Sequence, residues 1–378
     1  MSTYILIGFA TLVLSALFMF LVLRFAHRKS LYDQIDERKV HTELTPRLGG
    51  VGFISAYMFV VLVLTVSGFW NESVNLSFGS VLLAMMLILV FGIWDDLKPL
   101  RARYKFGIQC LAALLIVVAG YGFRRLSLPE LGWRLELGFI RYPLTILWIV
   151  GIINAINLID GIDGLAGGLS FIILLCYSLI YLYLGDEQAF LLCVLLIAAI
   201  GGFLIFNAPV PRAKIFMGDT GSQFLGFFIA IIPFLESSKT ESSAISLPFA
   251  AGITLIPIFD TFAAIWRRIR DGMKIYEPDR KHTHHKLLAL GLNAIKIDLV
   301  LYTLQIVVGA SIVLSLTVLQ KYKTLLVVFA YGLVSVFFTI LHFMYFYKTK
   351  HTVFPRDKQE IHHVIAGPSP VSKTVDPL

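Results

Sequence analysis

The sequence predicts an all-α polytopic membrane protein with about eleven transmembrane helices. Three observations support this fold class. First, 57% of the 378 residues are hydrophobic and the mean hydropathy is +0.80, whereas apolar residues make up nearer half of a soluble chain. Second, apolar runs recur along most of the chain at roughly the length that spans a 30 Å hydrocarbon core. Third, Lys and Arg are concentrated in alternate connecting segments.

Eleven apolar runs are predicted to form the membrane helices. The first run lacks a basic start and a small-residue cleavage site, which favours a retained helix over a signal peptide. The eighth run is the shortest and is the weakest candidate for a full span. In chain order, the runs occupy residues 4–24, 51–69, 76–93, 105–122, 142–158, 169–184, 189–206, 224–235, 244–265, 299–319 and 324–347.

The distribution of basic residues predicts an N-out, C-in orientation. With the N-terminus outside, the inner segments contain 25 of the 32 Lys and Arg residues, as the positive-inside rule requires. The outer segment 123–141 is discordant because it contains four arginines. Its alternating residues on either side of Pro129–Gly132 predict a small external β-hairpin.

Residues 1–347 are predicted to form a single integral membrane domain, followed by a cytoplasmic tail at 348–378 that is predicted to be disordered. The net charge of +8 is spread over short inner clusters, which suit topology and anionic-lipid contact rather than nucleic acid. The three cysteines lie within apolar runs and have no disulfide or zinc spacing.

The segment from Asn154 to Ala166 contains two amides and two carboxylates at the end of a membrane helix. Asn154, Asn157 and Asp160 are three residues apart, so they lie on nearly one helical face, and Asp163 follows. A carboxylate near the membrane core persists when it is paired, bound to a metal or wetted by a cavity. The alternative is a helix cap followed by an Asp-Gly turn.

Other polar motifs are predicted on the same inner side. Backbone N–H groups at the Gly218–Ser222 helix start suit a phosphate, and Asp219 suits its magnesium. Solvated loops, an N-cap and a surface charge cluster remain the simpler alternatives for these motifs. A single shared site at the inner membrane surface would explain why all these motifs are predicted on the same side. The motif residues are Asp95 and Asp96, Asn207 with Lys214 and Asp219, Asp260, Arg280 with His282, His284 and His285, and Lys39 in an early basic loop.

These motifs, in this order and on this side, resemble the polyprenyl-phosphate N-acetylhexosamine-1-phosphate transferases of glycosyltransferase family 4, over about residues 1–347. The histidine motif Pro278–His285 is similar to the branch that uses UDP-N-acetylglucosamine (UDP-GlcNAc). The peptidoglycan branch, which acts on UDP-MurNAc-pentapeptide, has three consecutive histidines there. Because Thr283 interrupts that run, the peptidoglycan branch is the second choice.

The resemblance implies Mg²⁺-dependent transfer of GlcNAc-1-phosphate from UDP-GlcNAc to undecaprenyl phosphate, with release of UMP and with Mn²⁺ as a substitute metal. Asp219 is expected to bind Mg²⁺, with Asp160 or Asp163 assisting, and Asp95 or Asp96 to orient or deprotonate the lipid phosphate. Whether attack is direct or passes through an aspartyl intermediate stays open. The expected substrate-binding residues are Lys39, Asn154, Asn157, Asn207 (near uracil), Lys214, Arg280, His282, His284 and His285.

The resemblance also implies a multi-pass protein of the inner (cytoplasmic) membrane whose active site faces the cytoplasm. Its product would start teichoic acid, O-antigen or common-antigen synthesis, and a homodimer is compatible with the family. The rival from another class is a transporter. Transporters place their coupling residues near the bilayer midplane, whereas these carboxylates gather at span ends on one face, which favours an enzyme.

Overall fold

The computed structural model describes residues 2–32, 45–70, 76–128, 133–208, 210, 212–235, 245–274 and 281–352, which are mostly helical. A two-stranded sheet joins the fourth and fifth helices. The helices are α1 (Ser2–Arg28), α2 (Gly49–Val66), α3 (Leu76–Leu97), α4 (Ala102–Val118), α5 (Arg141–Ile159), α6 (Leu165–Leu184), α7 (Glu187–Asn207), α8 (Gly218–Ile231), α9 (Leu247–Ile253), α10 (Leu255–Arg270), α11 (Thr283–Ala289), α12 (Ala294–Leu316) and α13 (Lys323–Thr352).

The described part of the chain contains eight helices long and apolar enough to cross a membrane, or up to nine if a bent pair counts as one span. The chain is therefore a multi-pass membrane protein, but the predicted count of eleven is not confirmed. Three of the eleven apolar runs account for the difference. Helix α4 has 17 residues and α8 has 14, and the run 244–265 is broken between α9 and α10 by a bend of 88°.

The predicted hairpin is confirmed. Strand β1 (Arg125–Leu128) pairs antiparallel with β2 (Trp133–Glu136), and Arg125 lies opposite Glu136. Helix α13 continues to Thr352, past the start of the predicted tail at residue 348, and the boundary between domain and tail stays a prediction. No proline or glycine lies between Tyr347 and Pro355, so nothing in the sequence requires the helix to end at Tyr347. The rest of the predicted tail lies outside the described residues.

Helix α8 lies at the centre of the bundle, where it packs against α5, α3 and α2. Each of its residues is buried except Asp219 in the first turn. This burial explains why 224–235 is short as a membrane span: protein rather than lipid surrounds the helix, so its length need not match the bilayer. The polar N-terminal turn of α8 is therefore held inside the protein.

Glycines allow α2, α3 and α5 to approach α8 closely, as small residues do in membrane bundles. A Cβ atom added to Gly50 would lie 2.3 Å from the backbone nitrogen of Gly221 in α8. A Cβ atom on Gly92 would lie 2.6 Å from the Cα of Thr220. These contacts fix α8 against the two helices whose ends carry Arg47 and Asp96.

We expect Gly50→Ala to lower the free energy of unfolding by about 1–3 kcal/mol, because the methyl group would meet backbone that cannot rotate away. The measurement is the apparent Tm of the purified protein in detergent. The control is Gly79→Ala in α3, where an added Cβ meets no atom within 4 Å. Equal Tm values for the two variants would contradict the proposed close packing of α2 on α8.

Candidate active site

The Asp219 carboxylate is the meeting point of four parts of the fold. Its Oδ1 atom accepts hydrogen bonds from the Arg47 guanidinium at 3.3 Å and from the Asn157 side-chain amide at 3.2 Å. Its Oδ2 atom lies 2.5 Å from the Lys105 ammonium. The side chain is 19% exposed. A carboxylate held by two cations and an amide, yet open on one side, can meet a further charged group.

Lys105, in the first turn of α4, bridges two carboxylates. Its ammonium lies 2.5 Å from Oδ2 of Asp95 as well as from Asp219. Oδ1 of Asp95 accepts a hydrogen bond from the backbone N–H of Leu100 at 2.8 Å, which stabilises the turn between α3 and α4. Lys105 was not among the residues predicted for the site. The available signal was its position in the first turn of α4, directly after the helix end that carries Asp95 and Asp96.

Asp96 caps the N-terminus of α8. Its Oδ1 accepts from the backbone N–H of Asp219 at 2.8 Å, and its Oδ2 accepts from the N–H and hydroxyl of Thr220 at 3.1 and 2.5 Å. Gly218, at φ +74°, makes this approach possible, since a Cβ there would meet the Asp96 carboxylate. Both oxygens of Asp96 are thus used in capping α8.

The two asparagines of α5, Asn157 and Asn154, lie at different depths in the bundle. Asn157 donates to Asp219 and, at 2.8 Å, to the hydroxyl of Ser222, so it belongs to the carboxylate cluster. Asn154 lies one turn deeper and donates at 2.7 Å to the side chain of Gln109, which in turn donates to Gln223. This chain of amides joins α4, α5 and α8 behind the cluster. Asn154 is therefore placed to support the site rather than to contact Asp219.

Asp160 ends α5. Burial and the nearby charge of Asp219 raise the pKa of Asp160 to about 7, and the charges of Asp96 and Asp163 act in the same direction. The deprotonated form of Asp160 is thus disfavoured first because the carboxyl is buried and second because other carboxylates lie nearby. Asp160 and Asp163, which the sequence places together in one loop, lie near the Asp219 cluster as expected.

The donor set suits a divalent cation in charge and chemistry. Within the described ranges, no three His, Cys, Asp or Glu side chains are already arranged around a metal position, and Asp219 is paired with Lys105 and Arg47. However, Asp160 is also close enough for the charge of Asp219 to act on it, and a cation stabilises carboxylates that lie close together. Carboxylate oxygens are also the ligands that Mg²⁺ prefers. Asp219 and Asp160 are the residues that would hold it.

Asp260 holds the histidine motif. Its Oδ2 accepts from Nδ1–H of His282 at 2.7 Å, and its Oδ1 accepts from the backbone N–H and hydroxyl of Thr283 at 2.7 and 2.6 Å. All three residues are buried. The carboxylate therefore fixes the His282 ring and the start of α11, a role that the sequence did not reveal although it placed Asp260 on the same side.

The histidine motif also contacts the Asp160 loop. A Cβ atom added to Gly161 would lie 2.1 Å from Nε2 of His284, so only glycine permits this contact. Burial and the neighbouring ring of His285 lower the pKa of His284 to about 3, so its imidazole is neutral at neutral pH. His284 lies between the other two rings, at 6.0 Å from His282 and 4.2 Å from His285. The motif thus forms one wall of the site.

The remaining predicted residues have different positions. Asn207 is buried, accepts from the N–H of Gly164 at 3.0 Å and donates to the carbonyl of Ile215 at 2.8 Å. These bonds join the Asp160 loop to the segment before α8, and contact of Asn207 with uracil stays a prediction. Lys214 is exposed. Lys39 and Arg280 lie outside the described residues.

Known proteins match this chain over most of its length. The model of glycosyl transferase family 4 matches residues 78–235. A probable undecaprenyl-phosphate N-acetylglucosaminyl 1-phosphate transferase of Bacillus subtilis (strain 168) is 39% identical over 291 residues, covering 77% of this chain and 79% of that protein. The undecaprenyl-phosphate alpha-N-acetylglucosaminyl 1-phosphate transferase of Escherichia coli (strain K12) is 32% identical over 317 residues, covering 82% of each. That of Salmonella typhi is 30% identical over 287 residues, covering 74% and 75%.

Identity at this level over more than two thirds of the chain shows the family, and the motifs that suggested it lie together in the structure. The family match includes Asp95, Asp160 and Asp219, the carboxylates of the buried cluster. The chain belongs to glycosyl transferase family 4 and is a membrane-embedded phosphotransferase.

Proposed function

We propose that the protein transfers GlcNAc-1-phosphate from UDP-GlcNAc to undecaprenyl phosphate, forming undecaprenyl-diphospho-GlcNAc and releasing UMP. The observation that supports this proposal best is the Asp219 cluster, in which Lys105, Arg47 and Asn157 converge on one carboxylate at the ends of apolar helices. The names of the similar bacterial proteins specify the same lipid and the same sugar.

The reaction brings two anions together, so positioning and charge neutralisation are its main requirements. An oxygen of the lipid phosphate attacks the phosphorus that carries the sugar, and the bond from that phosphorus to the UMP oxygen breaks. Mg²⁺ bound by Asp219 and Asp160 would neutralise the diphosphate. Lys105 and Arg47 lie close enough to Asp219 to contact the same phosphates, and Asp95, through Lys105, would orient the attacking lipid phosphate.

Lys105 also lines a small surface cleft between α3, α4 and α8. Asp95, Lys105 and Gln223 form its polar part. Its apolar walls come from Ile88, Phe91, Leu100 and Ile108. A polar end joined to apolar walls matches a molecule whose phosphate reacts at the cluster while its hydrocarbon stays against the helices.

Thr283 favours the GlcNAc branch over the peptidoglycan branch. It occupies the middle of the histidine motif, and both its N–H and its hydroxyl bond to Asp260. A third consecutive histidine could not make the hydroxyl contact. We further propose that the protein lies in the inner membrane with this site facing the cytoplasm, and that its product starts a cell-envelope polysaccharide such as teichoic acid, O-antigen or common antigen.

Release of UMP by the purified protein tests this function. We expect UMP from UDP-GlcNAc and undecaprenyl phosphate with Mg²⁺, and little from UDP-MurNAc-pentapeptide. No UMP from either nucleotide would overturn the transferase proposal, and preference for the pentapeptide would move the protein to the peptidoglycan branch. A transporter would instead move a substrate across proteoliposomes without cleaving it.

Removal of the metal should lower turnover at least about 100-fold, because a cation that neutralises a diphosphate is worth several kcal/mol in the transition state. The measurement compares the UMP release rate before and after chelation with EDTA. Added Mg²⁺ is expected to restore the rate, with Mn²⁺ as a partial substitute. Full activity after exhaustive chelation would remove the metal from the proposal.

A further inference from the structure

A second cleft lies at the opposite end of the bundle from the carboxylates. It is a small surface cleft formed where α4 ends and α5 begins. Lys105 is at the other end of α4 and Asp160 at the other end of α5, and the 17 residues of α4 alone span about 25 Å. The residues that line it are Val117, Gly120, Tyr121, Gly122, Arg124, Arg141, Tyr142 and Thr145.

Two guanidinium groups face this cleft without a carboxylate partner among the described residues. Arg124 is exposed. Arg141 donates at 2.7 Å to the hydroxyl of Tyr142 and lies 4.6 Å from the centre of its ring. The hairpin carboxylate of Glu136 is 3.6 Å from Arg125, which is not part of the cleft. The cleft therefore has positive charge available for an anion.

The sequence shows independently that this charge is unusual. The segment 123–141 contains four arginines, and in the predicted N-out, C-in orientation they lie on the side where the positive-inside rule disfavours them. Orientation alone gives no reason for arginines on that side, so a ligand for them is the simpler explanation. Two of the four line the cleft.

Exposed apolar side chains place the cleft at the lipid boundary. Val118 at the end of α4 is 78% exposed, and Phe139 and Ile140 just before α5 are 81% and 66% exposed. Such residues need hydrocarbon around them. Tyr121 and Tyr142 within the cleft are of the type enriched at membrane–water interfaces. An anion that reaches both arginines would thus lie at the depth of lipid headgroups.

We propose that this cleft binds the phosphate of an anionic phospholipid in the leaflet opposite the catalytic carboxylates. The guanidinium groups of Arg124 and Arg141 would bind the phosphate oxygens by charge-assisted hydrogen bonds. The tyrosines would border the headgroup, and the acyl chains would lie along Val118, Phe139 and Ile140. This site is separate from the transferase site, because none of its residues contacts the Asp219 cluster.

The test is lipid-dependent stabilisation of the full-length protein in neutral detergent. A ligand that binds only the folded state raises Tm as its concentration exceeds its Kd. We expect phosphatidylglycerol, but not phosphatidylcholine, to raise the Tm of the wild type. In the double variant Arg124→Gln/Arg141→Gln, the apparent affinity for phosphatidylglycerol should fall about 10-fold or more, because both cationic contacts to the phosphate are lost.

Arg125→Gln is the matched control, because it removes one arginine of the same hairpin that does not line the cleft. It should keep the affinity of the wild type. Equal phosphatidylglycerol affinity in the wild type and the double variant would overturn the proposal. If millimolar inorganic phosphate raised the Tm of the wild type as much as phosphatidylglycerol does, the proposal that the occupant is a lipid would be wrong.

UMP release in neutral detergent checks that the double variant is folded, and it should match the wild type. If the double variant fails to fold, Arg124→Gln alone provides the same comparison, since this exposed side chain makes no described side-chain contact. A single variant that binds phosphatidylglycerol as tightly as the wild type would then contradict the site.

Discussion

Asp219→Asn is expected to lower kcat about 1,000-fold or more while the protein still inserts and folds. The substitution keeps the shape of the side chain but removes the charge on which Lys105, Arg47 and Asn157 converge. It would also remove a proposed Mg²⁺ ligand. Loss of one electrostatic group of an active site costs about 100- to 1,000-fold in kcat, and loss of a metal costs several kcal/mol in addition.

The measurement is the UMP release rate of variant and wild type at saturating Mg²⁺, with elution volume and Tm as checks of folding. Asp271→Asn is the control, because Asp271 bonds to Arg270 at the end of α10, on the same side of the bundle as Asp219. The control should keep wild-type activity. If Asp219→Asn kept more than a tenth of the wild-type kcat, Asp219 would not be a catalytic or metal-binding residue.

Lys105→Met is expected to lower kcat/KM about 100-fold. Lys105 is the one ammonium that contacts both Asp95 and Asp219 in the described residues. Methionine has a similar length but no charge, so the two carboxylates would repel each other and the incoming phosphates. Lys105→Arg should recover part of the loss, because it restores the charge, but not all of it, because a planar guanidinium cannot reproduce two contacts from a single nitrogen.

Lys98→Met is the matched control, since Lys98 is exposed in the same turn between α3 and α4. Its kcat/KM should remain within about twofold of the wild type, as expected for a solvated charge. If Lys105→Met had the same kcat/KM as Lys98→Met, the ion pairs of Lys105 with Asp95 and Asp219 would have no part in the reaction. A purely structural role would instead lower Tm and leave kcat/KM of the folded fraction unchanged.

The membrane nature, the hairpin and the family could be predicted because they depend on local patterns. Alternation on either side of Pro129–Gly132 was enough to predict β1 and β2, which the structure confirms. The number of membrane-spanning helices could not be predicted in the same way. The run at 224–235 is part of a buried central helix, and hydropathy does not distinguish a helix surrounded by protein from one surrounded by lipid.

Roles within the motifs were harder to predict than the motifs themselves. Asp95 and Asp96 are adjacent in the sequence, yet one pairs with Lys105 and the other caps α8. Adjacent residues on a helix point about 100° apart, so the pair cannot share one role. Lys105 was not predicted as a site residue because it belongs to no recognisable motif, and Asp260 was placed on the same side as the site without a role.

The sequence by itself determined that this is a helical membrane protein of the transferase family with carboxylates gathered at helix ends, because hydropathy and motif order are properties of consecutive residues. Only the tertiary structure decided which groups meet. Asp96 reaches the N-terminus of α8 across 123 positions of the chain, and Lys105 reaches Asp219 across 114. Contacts at such separations depend on how α3, α4 and α5 pack around α8, and no local pattern specifies that packing.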